Sequence, residues 1–144
     1  MAAGDCVFCK VRDGAIPSTF LYEDDRAFVI RDINPKAPTH LLVIPKEHVP
    51  TVASLTGRRL SLLGHLTGVA NRVAQEQGVA DTGYRLVINN GPDSGMEVSH
   101  LHIHLLAGTA WGDCIRAGLL SPDESEGAGV RRAARRAPFL CASG

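Results

Sequence analysis

Residues 100–104 read His100-Leu101-His102-Ile103-His104, and a chain carrying this run must build an extended segment around it. Polar and aliphatic side chains alternate with period two, the pattern of a β-strand that packs on one face only. Residues i, i+2 and i+4 of a strand share a face, so His100, His102 and His104 are predicted to line one side while Leu101, Ile103 and Leu105 pack on the other. Three of the six histidines of the chain are spent on this row. An ordinary histidine titrates near ~6.5, closer to neutrality than any other side chain. The row therefore points to nucleophilic catalysis, proton transfer or metal binding. A strand rises ~3.3 Å per residue, which puts neighbours in the row ~6.6 Å apart and the outer pair ~13 Å apart. Three rings so spaced cannot converge on one Zn²⁺ at ~2.0–2.1 Å per nitrogen. Three histidines with separate tasks are expected.

The rest of the chain predicts the partners of this strand. Residues 6–12 read as a helical turn, ended by Asp13-Gly14. Strands are predicted at 20–23, 27–31, 40–45 and 84–89. The segment Asn34-Pro35-Lys36-Ala37-Pro38 reads as a loop, because its prolines offer no N–H to a ladder. One long helix is predicted over 60–77, with Leu62, Leu66, Val69 and Val73 forming an apolar stripe, Thr56 as a candidate N-cap and Gly78 as its terminator. Antiparallel strands with one main helix on a face make an α+β fold.

Composition removes several classes. The 144 residues suit one domain, and the formal net charge of zero gives no basic field for nucleic acid. No apolar run approaches the ~20 residues of a membrane span, and Met1-Ala2-Ala3-Gly4-Asp5 lacks the regions of a signal peptide. A cytoplasmic protein is expected, with Cys6, Cys9, Cys114 and Cys141 reduced.

Three further features carry alternatives. Cys6-Val7-Phe8-Cys9 is a Cys-x-x-Cys motif, read as zinc, redox chemistry or two free thiols. Gly91 to Gly95 reads either as a plain hairpin connection or as a turn whose N–H groups receive a phosphate; the Gly-Lys-Ser/Thr signature of a P-loop is missing. Arg131-Arg132 and Arg135-Arg136 read as a solvated tail or a phosphate contact.

The run His100 to Leu106 resembles the histidine-triad pattern, His-φ-His-φ-His-φ-φ with φ apolar. The segments 28–32, Pro35 to His40, Val43 to His48 and Leu62 to Leu66 are similar to the same family, in the same order. The resemblance is to the histidine-triad (HIT) family, in its nucleotide-binding, purine nucleoside phosphoramidase branch, and covers about residues 6–108. It implies a HIT domain over 1–112 followed by a tail over 113–144. It further implies a five-stranded antiparallel sheet with one long helix, dimerising into a continuous ten-stranded sheet. The implied activity is hydrolysis of purine nucleoside phosphoramidates, of the adenosine 5'-phosphoramidate or aminoacyl-adenylate type, releasing AMP or GMP. The alternatives are a dinucleoside-polyphosphate hydrolase and a nucleotide-sensing module with little catalysis.

By the same resemblance His102 is the nucleophile, His104 contacts the phosphate and His40 completes the catalytic set. Asp32 and Ile33 match ribose and base contacts, and Phe8, Ile16 and Leu42 match the purine pocket. Asn89, Gly95, Met96 and Glu97 match contacts to the α-phosphate and leaving group. Cys6, Cys9, His48 and His100 match the ligands of a structural Zn²⁺; no organic cofactor is implied. The chain departs from the pattern at Glu97, where a serine is familiar, and at Met96, where glutamine is common. Trp111-Gly112 runs into an unrelated tail instead of the family's Trp-Pro-Pro-Gly ending.

Overall fold

A computed structural model describes residues 3–109. The expectations for Trp111-Gly112, Cys114, Cys141 and the arginine pairs of the tail lie outside the described residues. The described chain folds as α1 (Val7–Arg12), β1 (Tyr22–Glu23), β2 (Ala27–Arg31), β3 (Thr39–Pro45), α2 (Leu60–Glu76), β4 (Tyr84–Val87) and β5 (Ile103–Ala107). The five strands form one antiparallel sheet in the order β1-β2-β3-β5-β4. The expected α+β architecture, with five strands and one long helix, is the one observed.

Each face of the sheet buries a different set of residues. Ala27, Val29, Leu41, Val43, Leu101, Ile103 and Leu105 pack under α2, against Leu62, Leu66, Val69 and Val73 of the predicted stripe. Phe28, Ile30, Leu42 and Ile44 alternate to the other face and pack with Cys6, Phe8, Cys9 and Val11 from α1 and its start. Central strands β2 and β3 are therefore apolar on both sides, whereas the histidine segment is apolar toward α2 and imidazole toward α1. Gly78, at φ +73°, lets the chain leave α2 in a left-handed conformation that a side chain would resist.

Besides single-residue shifts at Val7, Thr39 and Glu76, four features differ from the sequence expectation. The first strand begins at Tyr22 rather than at residue 20, although Leu21 still donates its N–H to the Val29 carbonyl at 2.8 Å. The fourth ends at Val87 rather than at residue 89. Thr56 does not cap α2: a 3₁₀ turn, Gly57–Arg59, intervenes, and Thr56 makes no side-chain cap bond. The histidine strand starts only at Ile103. The reason lies on β3, where Pro45 would be the next partner, opposite Leu101, in the register that pairs Val43 with Ile103. Pro45 has no N–H to give, and its carbonyl accepts instead from the His100 ring at 2.8 Å. Leu101 turns its own N–H to the Val49 carbonyl at 2.6 Å. The alternation survives without the ladder.

Candidate active site and metal centre

A cavity of about 480 Å³ opens on the α1 side of the sheet, within the usual range for a small-molecule site. Its wall includes His40, His102 and His104, Asp32 and Ile33 from the end of β2, Phe8, Ile16 and Leu42, and Glu97 at the end of the glycine loop. Nine expected site residues are thus brought together. Asn89, Gly95 and Met96 do not line this cavity; they precede Glu97 and Val98, the part of the loop that does. Asn89 nonetheless carries a buried Nδ2 with no partner among the described residues. Gly91 and Gly95 hold φ +82° and +80° around the turn Pro92–Ser94, a backbone that only glycine adopts without strain.

The histidine tautomers follow from main-chain partners. His102 Nδ1 lies 2.7 Å from the His100 carbonyl, which can only accept, so Nδ1 bears the proton and Nε2 keeps its lone pair. His40 Nδ1 receives the N–H of Lys36 at 3.0 Å, so its proton sits on Nε2. That N–H points to His104 Nδ1 at 3.0 Å, with Asp32 Oδ2 at 3.4 Å beside it. His104 accordingly carries its proton on Nε2, which is buried and has no partner among the described residues. The cavity thus holds a nucleophilic nitrogen on His102 and, on the neighbouring ring with centroids 4.8 Å apart, a donor in need of an acceptor.

Burial keeps these rings neutral. It lowers the His102 pKa, partly opposed by the His100 carbonyl and by Asp32. It takes His104 down to about 4, with His102 and His40 adding repulsion. His40 is lowered too, mainly by burial and against the pull of Asp32. Neutral imidazole is the nucleophilic form.

Lys36 is the site residue that sequence reasoning passed over. Its N–H sets the His40 tautomer, and the residue lines the cavity. The only available signal is its place between Pro35 and Pro38, in a segment whose prolines cannot donate to a ladder, four residues before His40.

A second cluster lies behind Phe8. Cys6 Sγ and Cys9 Sγ stand 3.3 Å and 3.6 Å from His100 Nδ1, and His48 Nδ1 is 3.3 Å from Cys9 Sγ and 3.1 Å from His100 Nδ1. Zinc bonds of ~2.3 Å to sulfur and ~2.0–2.1 Å to nitrogen make a tetrahedron with edges of ~3.3–3.8 Å, close to this spacing. His100 donates Nε2–H to Pro45, which frees Nδ1 as a ligand in the manner usual for metal-bound histidine. The donor set and its packing fit a closed Zn²⁺ site. Both cysteines are free thiols, and burial raises the Cys9 pKa.

The HIT domain profile matches residues 13–110 of the chain. The chain belongs to the HIT family. A purine nucleoside phosphoramidase of Escherichia coli is 41% identical over 110 residues, which cover 76% of this chain and 92% of that one. A 14 kDa zinc-binding protein of Zea mays is 46% identical over 104 residues, covering 71% and 80%. Among solved structures, a HIT family hydrolase from Clostridium thermocellum superposes with a TM-score of 0.74 at 46% identity, over 75% of this chain and 94% of that one. With this kinship and the histidine constellation assembled, this HIT protein is a hydrolase.

Proposed function

We propose that this HIT hydrolase cleaves purine nucleoside phosphoramidates through a nucleotide transiently bonded to His102. The observation that carries the reading is the fixed tautomer pair: a lone pair on His102 Nε2 beside the unpartnered Nε2–H of His104. His102 Nε2 attacks the α-phosphorus and the P–N bond breaks. The departing nitrogen takes a proton from water and leaves as an amine. The hydroxide equivalent of that water then attacks phosphorus, the P–Nε2 bond breaks, and AMP or GMP is released with His102 neutral again. His104 Nε2–H is placed to bind a phosphate oxygen as charge develops there, a kind of donor whose loss typically costs ~10²–10³-fold in kcat. His40 holds His104 in the required tautomer. Asp32 and Ile33 are assigned to ribose and base, Phe8, Ile16 and Leu42 to the purine. Asn89, Gly95, Met96 and Glu97 are assigned to the phosphate and leaving group, with the spare Nδ2 of Asn89 in support.

Cys6, Cys9, His48 and His100 would hold a structural Zn²⁺, which when bound closes its four positions to substrate and ties α1 to the histidine segment. We further propose a homodimer with a ten-stranded sheet. Of the two edge strands, β4 is the longer and offers four residues to a symmetric copy, against two on β1. Among the described residues no helix is long and apolar enough to cross a membrane. A cytoplasmic location is proposed, in keeping with the reduced thiols.

The test uses a fluorogenic adenosine phosphoramidate and a diadenosine polyphosphate, with wild type and His102→Asn, and a metal assay on both proteins. The phosphoramidate is expected to turn over, with a loss of about 10³-fold or more in the variant and no loss of AMP affinity or zinc. Turnover of the polyphosphate alone would move the substrate class. Turnover that survives in His102→Asn would remove the covalent route. Tight AMP binding without turnover would make the chain a sensor.

A further inference from the structure

The metal-type cluster and the nucleophile are joined through a single peptide group. The carbonyl of His100 accepts Nδ1–H of His102, and the N–H on the other side of that same peptide, from Leu101, is bound to Val49 O. His100 places its ring in the cluster, and Val49 directly follows His48, another member. Both anchors of the peptide that sets the His102 tautomer thus come from cluster segments. A third contact comes from Phe8, which sits between the two cysteines. Its ring meets His100 edge-on at 5.7 Å and His102 at 5.1 Å between centroids. Segments 6–9, 48–49 and 100 all converge on one imidazole.

The sheet does not do this work. The β5 ladder stops at Ile103, so among the described residues no strand pairing fixes residues 100–102, where His102 lies. His100 is fully buried. Its ring is held by the cluster and by Pro45 and its N–H by the Val98 carbonyl at 2.9 Å, and the position of its own carbonyl follows.

Resting on the function proposed above, we infer that the Cys6–Cys9–His48–His100 cluster is a positioning device for His102, with His100 as the positioning residue. A zinc-class ion held there sets how sharply the attacking nitrogen is aligned. A cluster that merely stapled α1 to the sheet would change stability and leave the chemistry of folded molecules alone.

The two cases separate in the full chain, zinc-loaded against chelator-stripped, and in His48→Ala, whose side chain does not touch His102. Three quantities are read: the His102 ring tautomer by long-range proton–nitrogen NMR, AMP affinity, and kcat against KM on the phosphoramidate. Disrupting the cluster should replace the single Nδ1–H signature of His102 with a mixture. It should lower kcat by ~10–100-fold, the range typical for outer groups that orient a site. AMP affinity and KM should stay within about threefold, because Cys6, Cys9, His48 and His100 do not themselves line the cavity. An unchanged tautomer and kcat in protein that has lost its zinc would overturn the inference. Unfolding of both stripped protein and His48→Ala would overturn it as well, since the cluster would then hold the fold and not the nucleophile. The tautomer needs no substrate, so it still decides the matter if the wild type fails to cleave a phosphoramidate; that failure would count against the substrate alone.

Discussion

His40 is expected to act wholly through His104, and His40→Leu tests this. The substitution removes the acceptor of the Lys36 N–H and the donor to His104 Nδ1, both at 3.0 Å. His104 is 9% exposed, so its orphaned Nδ1 finds little water. An unsatisfied buried polar group costs about 1–3 kcal/mol; the Lys36 amide is half-buried and better able to recruit solvent, so about 2–4 kcal/mol of stability should go in total. The kinetic effect comes from His104, which loses the partner that keeps its proton on Nε2. Weakening one hydrogen bond to a developing phosphate charge by about 1.5–3 kcal/mol slows turnover by about 10- to 150-fold. The decisive comparison is the double variant His40→Leu/His104→Ala. If His40 only sets the tautomer of its neighbour, the double variant turns over as slowly as His104→Ala and no more slowly. Steady-state kcat on the fluorogenic phosphoramidate, corrected for folded fraction by circular dichroism, gives the answer. Multiplicative losses in the double variant would refute the relay and give His40 a direct role at phosphorus.

Three other outcomes follow from the packing and the charges. His104 is held down to about 4 against its ordinary 6.5, so the unfolded chain binds a proton there that the folded chain refuses. Its contribution is complete above pH 6.5 and is lost as pH falls toward 4, by about 3 kcal/mol at most; urea midpoints between pH 7.5 and 4.5 should fall less steeply in His104→Leu, and equal slopes would contradict this. Leu66→Ala, at a fully buried position under the sheet, should cost about 2–5 kcal/mol in urea unfolding while kcat per folded molecule holds; a loss under about 1 kcal/mol would displace Leu66 from the core. Asp24 sits at about 2: partial burial works against its charge, but hydrogen bonds from Arg26, Tyr22, Ala27 and His65 outweigh it. Its stabilisation is present above the ordinary carboxylate range and fades as pH falls toward 2, and Asp24→Asn should lower the melting temperature at pH 7 while removing that acid dependence.

What could be read from sequence depended on how far away the deciding atom lay. The stripe Leu62, Leu66, Val69, Val73 needs only its own spacing, and all four residues are buried under the sheet. The start of α2 at Leu60 was legible, but its cap was not: the signal at Thr56 belongs to a 3₁₀ turn that carries the chain into the helix. The alternation of histidine with aliphatic residues fixed the sides correctly, since extended backbone alone produces it. The start of the β5 ladder was illegible because it depends on Pro45, 56 residues before Leu101, and on a ring that takes its carbonyl. Within the site, side chains singled out by type come together: the three cavity histidines with Asp32 in one wall, and the two cysteines with His48 and His100 in one cluster. Lys36 was missed because it acts on His40 through its backbone N–H, which carries no residue-specific signal.

The same principle explains how one residue type fills four roles within a few ångströms. His40 becomes a donor toward His104 because a main-chain N–H occupies its Nδ1. His102 keeps a free lone pair on Nε2 because a main-chain carbonyl occupies its Nδ1. His100 turns its Nδ1 to the thiols because a main-chain carbonyl occupies its Nε2. His104 has no main-chain partner among the described residues and takes its tautomer from His40, so of the four it alone depends on another side chain for its tautomer. Spacing along the strand thus sets where each imidazole stands, while the nearest peptide group decides which nitrogen is left to act. Any fold that kept the alternation but moved Pro45 or the Lys36 loop would keep the motif and lose the division of labour.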